Sequence, residues 1–293
     1  MSRAALRIML TLILISISLY TLQLYNRPKL LHSQDSAFGA LLVFEENGER
    51  CMNFESMHDL GRQSCIRLAN PKQLVFAYTR MMMSALYLNP HPKSILIIGL
   101  GGATLANALA DIVPNAIIDS VEIEPAVANV AEQYFYYQPG PRQRLFIDDG
   151  RRYVEQAKQQ GLQYDMVMLD AFDVDYIPVH LMSVEFLQQV KSILSPDGIL
   201  IANTFTDSTL YQQESATYAH VFGQFFNVEL DNRVIIAVNG TLPNLSTLVH
   251  NATALAPQLT PIGINLEESL SLFTLSNVPN DDVPLLRDLT APR

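Results

Sequence analysis

SILIIGLGGATLANALA, Ser94 to Ala110, begins as a run of apolar β-formers, empties into a glycine turn and continues with helical spacing. Downstream comes DSVEIEP (Asp119–Pro125), and the next strand-forming run, 117–122, ends on an acid, Glu122. Strand, glycine turn, helix and an acid closing the next strand are how a nucleotide-handling α/β domain begins. The rhythm then repeats. Strands are expected at 94–98, 117–122, 144–147, 165–170 and 198–203, and helices at 103–111, 125–134, 151–160 and 183–194. Such alternation implies a parallel sheet covered on both faces, in which strands read as continuous apolar runs. ILII, YDMVML and GILIAN fit that pattern. Beyond 205, a further helix and the segments FNVEL and RVIIAVNG fit an antiparallel edge.

Upstream, residues 26–36 read as a linker. Residues 37–70 read as a small β-strand domain with a two-residue hairpin at Asn47-Gly48. Asn70 to Leu88 reads as a helix with an Asn cap and Pro71 in its first turn, and its Met81-Met82-Met83 run reads as packing. Residues 71–250 form the expected α/β domain. Residues 251–293 form a C-terminal tail, Pro-rich and irregular from 255. At the N-terminus, Arg3 and Arg7 precede a charge-free stretch, Ile8–Tyr25, closed by Arg27 and Lys29. Residues 1–30 therefore read as a single transmembrane anchor, with a cleaved signal and a buried helix as rivals. Both ends carry two basic side chains, which leaves orientation open.

With a net charge of −10 and no basic stripe, the chain is not expected to bind nucleic acid. The six His are scattered, with no metal-ligand spacing, and no metal is expected. No Gly-x-Ser-x-Gly elbow occurs, which disfavours a serine hydrolase. Asn239, Asn244 and Asn251 open short glycosylation-like triplets that also arise by chance. Cys51 and Cys65 are too few to identify a redox compartment.

In an open parallel sheet, ligands sit beyond the carboxyl ends of the strands. After the first strand come Gly99, Gly101 and Gly102. After the second comes Glu122, placed to accept from ribose hydroxyls. After the third comes DDGR, with Asp149 and Gly150. After the fourth comes LDAFDVDYIP, with Asp170, Asp173 and Asp175. Any one of these could be a turn glycine or a helix cap, but four on successive strand ends make a site. Gly-x-Gly-Gly-Ala-Thr lacks a third glycine at the dinucleotide spacing, so it fits an adenosylmethionine-type nucleoside better than a pyrophosphate. His180, near the fourth loop, reads as a proton shuttle or a structural, helix-capping group.

The order Q-S…Y…IIGLGG…VEIEP…DDGR…LDAFD…P…EF…L…DGIL resembles the spermidine synthase family of polyamine aminopropyltransferases, over about residues 38–230. The tail PLLRDLTAP is similar to a segment of membrane-linked relatives. The resemblance implies a class I methyltransferase-type, Rossmann-like sheet behind a small N-terminal β domain. It implies that Gln63 lines the nucleoside pocket, Glu122 holds the ribose and Asp149 the adenine amino group. Asp170 and Asp173 match the acids of the catalytic loop, Asp173 as base, and Tyr78 opens the family's Tyr-His-Glu. Three departures fall on the amine side. Gly102 replaces an acid that helps hold the aminopropyl ammonium, Thr79-Arg80 replaces His-Glu, and Ala171-Phe172 replaces Ser-Ser. The family reaction is attack by an amine on a carbon beside a sulfonium, so a carboxylate is needed to take the amine's proton.

Three readings follow. One is aminopropyl transfer from decarboxylated S-adenosylmethionine to an amine or polyamine. Another is methyl transfer from intact S-adenosylmethionine, which the absence of an acid at Gly102 would favour. The third is a non-catalytic membrane-anchored binding protein. Because the donor is made in the cytosol, an active domain is expected to face the cytoplasm, and a Cys51–Cys65 disulfide would favour the third reading. A homodimer is implied by the family alone.

Overall fold

The computed structural model describes residues 13, 27–58, 61–172, 177–276 and 282–288. The expected anchor, residues 8–25, lies outside these apart from Ile13, as do Asp173 and Asp175. Among the described residues no helix is long and apolar enough to cross a membrane.

A five-stranded antiparallel sheet leads. Its order is β1 (Lys29–Ser36), β2 (Gly39–Glu46), β3 (Glu49–Phe54), β4 (Ser64–Arg67) and β5 (Asn70–Leu74). The β2–β3 hairpin turns at Asn47 and Gly48, both with positive φ (53° and 79°), as its right-handed twist requires. Two expectations are corrected here. The linker read at 26–36 is largely β1: an edge strand with polar, exposed side chains carries no hydrophobic alternation to betray it. The helix read from Asn70 is strand β5 up to Leu74. Pro71 is tolerated because β5 is the other edge, where a missing N–H breaks no ladder. The helix itself, α1, is confined to Ala77–Met83 and tightens into a 3-10 turn at Ser84–Tyr87. Met81, Met82 and Met83 are buried core.

The main domain is an eight-stranded mixed sheet. Its parallel strands are β6 (Ser94–Ile98), β7 (Ile117–Glu122), β8 (Gln143–Ile147), β9 (Tyr164–Leu169) and β10 (Leu194–Phe205). The antiparallel edge is β11 (Phe226–Glu229), β12 (Asn232–Val238) and β13 (Phe273–Leu275). The order is β13-β11-β12-β10-β9-β6-β7-β8. This is a Rossmann-like, methyltransferase-type sheet whose strand order reverses between β6 and β9.

The helices between strands are α2 (Thr104–Ile112), α3 (Pro125–Tyr134), α4 (Gly150–Gln159), α5 (Val184–Ile193) and α6 (Tyr211–Phe222). Period-two alternation sorts β6 between two cores. Ile95 and Ile97 pack with α1, α2 and a later helix, α7 (Leu245–Leu259); Leu96 and Ile98 pack with α4, α5 and α6. Ala126, Val127 and Val130 of α3 pack on Leu41, Val43 and Met52, fastening the small sheet over the carboxyl edge of the large one. The expected irregular tail is also corrected: it contains most of α7, helix α8 (Leu266–Ser271) and β13. Of the three glycosylation-like asparagines, Asn239 and Asn251 donate their amides to Leu194 and Tyr87 carbonyls, and Asn244 caps α7. Cys51 and Cys65 face each other across β3 and β4 and are joined as a disulfide.

Candidate active site

Parallel strands end at one edge of the sheet, so the residues after β6, β7, β8 and β9 arrive together. They line a cavity of about 780 Å³, roofed by Phe38, Met52, Phe54, Gln63 and Ser64 of the small sheet. Gly99, Gly101, Glu122, Asp149, Gly150, Asp170 and Tyr78 all line it with Gln63.

The glycines are required by close approach. Gly99 has φ +95°, and a Cβ there would sit 2.2 Å from the Asp170 carbonyl oxygen across the switch point. A Cβ on Gly150 would lie 2.4 Å from Cγ2 of Ile98, so glycine lets α4 start against β6. Gly102 does not line the cavity. Its N–H donates to Ser64 Oγ at 2.9 Å, and a Cβ would meet Ser64 Cβ at 2.8 Å and the Phe135 ring at 3.0 Å.

Glu122 is buried and held by the glycine loop. Oε2 accepts from Leu100 N–H at 3.0 Å and Oε1 from Glu124 N–H at 2.9 Å. Burial raises its pKa, and the backbone N–H groups of Glu124, Leu100, Gly101 and Ile123 oppose the rise. The carboxylate is thus aimed before any ligand arrives.

Asp149 caps α4, with Oδ1 accepting from Arg152 N–H at 2.9 Å. Its Oδ2 lies 3.0 Å from Nε2 of His180. Burial would raise the Asp149 pKa, but the Arg152 N–H and His180 together hold it below the usual range. His180 therefore lies against Asp149.

The third carboxylate is Asp170. Asn203, on β10, donates to Oδ1 at 3.0 Å, and the Tyr78 hydroxyl donates to the same carboxylate. Burial pushes its pKa up to about 7 against those two donors. Burial and the adjacent Asp170 push the Tyr78 phenol well above its usual value, so it stays a donor. Phe172 lines the cavity here and packs edge-on to Phe205 at 5.3 Å. Arg80 does not reach the cavity; its guanidinium donates to the carbonyls of Leu74 and Val75 at 2.7 and 2.9 Å. Ser64, Asn203 and Asp288 are not singled out as site residues by sequence: Ser64 follows Gln63 in the small sheet, Asn203 closes the expected fifth strand without an acid or glycine, and Asp288 lies in the tail; Ser64 and Asp288 line the cavity directly. Among the described residues, Glu49, Cys51 and Cys65 cluster closely enough for an ion, but both sulfurs are committed to the disulfide.

The spermine/spermidine synthase domain matches residues 75–244. A polyamine aminopropyltransferase of Vibrio vulnificus is 41% identical over 272 residues, 91% of this chain and 91% of that one. Human methyltransferase-like protein 13, solved in complex with SAH, is 28% identical with TM-score 0.59, over 63% of this chain and 93% of that one. A probable spermidine synthase of Corynebacterium glutamicum shares the fold at TM-score 0.68 and 17% identity, over 88% of this chain and 96% of that one.

Proposed function

The chain belongs to the spermine/spermidine synthase family, and from that premise we propose that it transfers an aminopropyl group from decarboxylated S-adenosylmethionine to an amine or polyamine. The observation that carries the reading is the convergence of Glu122, Asp149 and Asp170, from three strand ends, on one cavity. The residues fit a nucleoside: Glu122, lining the cavity beside the glycine loop, is already oriented by backbone donors, and Asp149 and Gln63 line the same cavity.

In this reading Glu122 accepts from the ribose hydroxyls, Asp149 from the adenine amino group, and Gln63 closes the pocket from the small sheet. When bound, the donor supplies a carbon beside a sulfonium, and its thioether leaves without needing an acid. What the chain must supply is a deprotonated, aligned amine. Asp173 is the proposed base, on the sequence pattern. Asp170, with its pKa pushed up to about 7, is suited to hold a proton on the same path and orients the Tyr78 hydroxyl. Arg80, directed to backbone carbonyls and absent from the cavity wall, does not meet a cationic acceptor in the cavity.

Methyl transfer remains the second reading, favoured by the likeness to the SAH-bound methyltransferase. The non-catalytic reading rests on the disulfide, which is present. Identity of 41% across 91% of an aminopropyltransferase outweighs it.

The test is calorimetric titration of the full-length chain with decarboxylated adenosylmethionine, adenosylmethionine and methylthioadenosine, with Asp149→Ala as control. Preference for the decarboxylated donor, with production of an aminopropylated amine, is expected. Preference for the intact donor would transfer the assignment to methyl transfer, and absence of binding by all three would overturn both.

A further inference from the structure

The base end of the cavity is closed by a segment from the far end of the chain. Leu286 is buried against α5 and α6: its N–H donates to Thr217 Oγ1 at 2.9 Å, and its carbonyl accepts from Val184 N–H at 2.9 Å. The next two residues are tied to α5 as well. Arg287 pairs with Glu185 at 3.2 Å, and Asp288 N–H donates to the same carboxylate at 3.2 Å. Asp288 then turns its carboxylate to Arg151, which grips it with two nitrogens at 2.7 and 2.6 Å. Nη1 of Arg151 also donates to the His180 carbonyl at 3.2 Å, and the His180 ring lies on Asp149. One guanidinium therefore joins the start of α4, the turn carrying His180 and the C-terminal strap, and the His180 ring carries that link to Asp149.

We propose that Asp288 is a positioning residue for the donor nucleobase: through Arg151 and His180 it holds Asp149 to accept from a 6-amino purine, so the C-terminal strap sets selectivity for 6-amino over 6-oxo bases. The inference rests on the nucleoside reading above. A planar fork gripping a carboxylate fixes direction as well as distance. The pair is partly exposed, and such pairs add little to folding stability. Its effect is therefore on geometry. Arg151 is two residues from Asp149 and, among the described residues, is otherwise held only by Glu155, at 3.6 Å, and the His180 carbonyl, so without Asp288 its charge can swing towards Asp149 and compete for the acceptor that the amino group needs. A neighbouring cation there would also cease to discriminate against a carbonyl at position 6.

The experiment measures affinities of methylthioadenosine and methylthioinosine for the full-length wild type, Asp288→Ala and Asp288→Glu, with thermal unfolding alongside. Wild type is expected to favour the 6-amino compound. In Asp288→Ala that ratio is expected to fall about tenfold, equivalent to about 1.4 kcal/mol. Asp288→Glu, which keeps the carboxylate, is expected to retain most of it. An unchanged ratio in Asp288→Ala, even with both affinities weakened equally, would overturn the proposal while leaving the nucleoside site standing. Equal loss of the ratio in both variants would also overturn it. Failure of the wild type to bind either compound would sink the nucleoside reading itself.

Discussion

Replacing Asp170 by Asn tests whether the site stores instability for function. The Asp170 carboxyl titrates at about 7 in the folded chain against an ordinary 3.8. At about 1.4 kcal/mol for each pH unit of that difference, the cost of the charged form is bounded near 4 kcal/mol. Access to the cavity's water reduces that to an expected 1 to 3 kcal/mol, roughly. Since the folded pKa is the higher one, the folded state binds more protons between about pH 4 and 7. Wild-type stability therefore falls as pH rises through that window, and the loss is complete above it. The substituted amide cannot ionise. Its carbonyl oxygen has two lone pairs and can accept from both Asn203 and the Tyr78 hydroxyl, so neither donor is orphaned. In urea unfolding at pH 8, Asp170→Asn should be the more stable protein by about 1 to 3 kcal/mol with an unchanged slope, while aminopropyl transfer is lost. The gap should shrink steadily as pH falls from about 7 towards 4. A variant less stable than wild type at pH 8, or a gap that does not change with pH, would refute the reasoning.

Gly150→Ala should weaken methylthioadenosine binding and lower the unfolding midpoint, because its Cβ would lie 2.4 Å from Ile98 Cγ2; overpacking of this kind costs about 1 to 3 kcal/mol, and an unchanged midpoint would contradict it. Gly102→Asp, which restores the family acid, should destabilise the chain without tightening the decarboxylated donor, since the position is filled by Ser64 and Phe135; a tighter donor complex would show that the acid reaches the site. Unreduced, denatured protein should show no titratable thiol. Cys51→Ser with Cys65→Ser should lower stability by about 3 kcal/mol, on the chain-entropy account of a loop of this size, and two free thiols in native material would count against the pairing.

Where a segment is buried on both faces, its sequence shows it. Strand 94–98 is legible to the residue because a central parallel strand is close to apolar throughout, and 117–122 is legible despite Asp119 and Ser120 because Ile117, Ile118 and Val121 frame it. Edge strands escape that rule: β1 is polar and half exposed, and β5 contains Pro71, so neither carries the signal. The prolines of the tail suggest irregular chain, yet Pro257 sits inside α7, where burial of Leu248, Ala252, Leu255 and Leu259 outweighs the lost hydrogen bond. The site divides along the same line. Glu122, Asp149 and Asp170 are legible because the topology sends every parallel strand end to one edge. Ser64, Asn203 and Asp288 are not, because a hairpin, the body of β10 and the C-terminal strap reach the site only through tertiary packing.

The same packing changes what the departures from the family pattern mean. Read along the sequence, Gly102 and Arg80 suggest an amine end stripped of acid and loaded with a cation. In the fold, a side chain at 102 would point at Ser64 and Phe135 instead of the cavity, and the Gly102 N–H is already spent on Ser64 Oγ. The glycine is thus a consequence of how closely the small sheet sits on the loop. Arg80 is likewise consumed in joining α1 to the end of β5. Of the three departures, only Ala171-Phe172 alters the wall of the cavity. Its aromatic ring lines the same cavity as Asp170, and an aromatic wall that shares a cavity with a carboxylate is attractive to an ammonium group. If the acceptor binds against this wall, its choice should respond to Phe172 more than to either residue that the sequence made conspicuous.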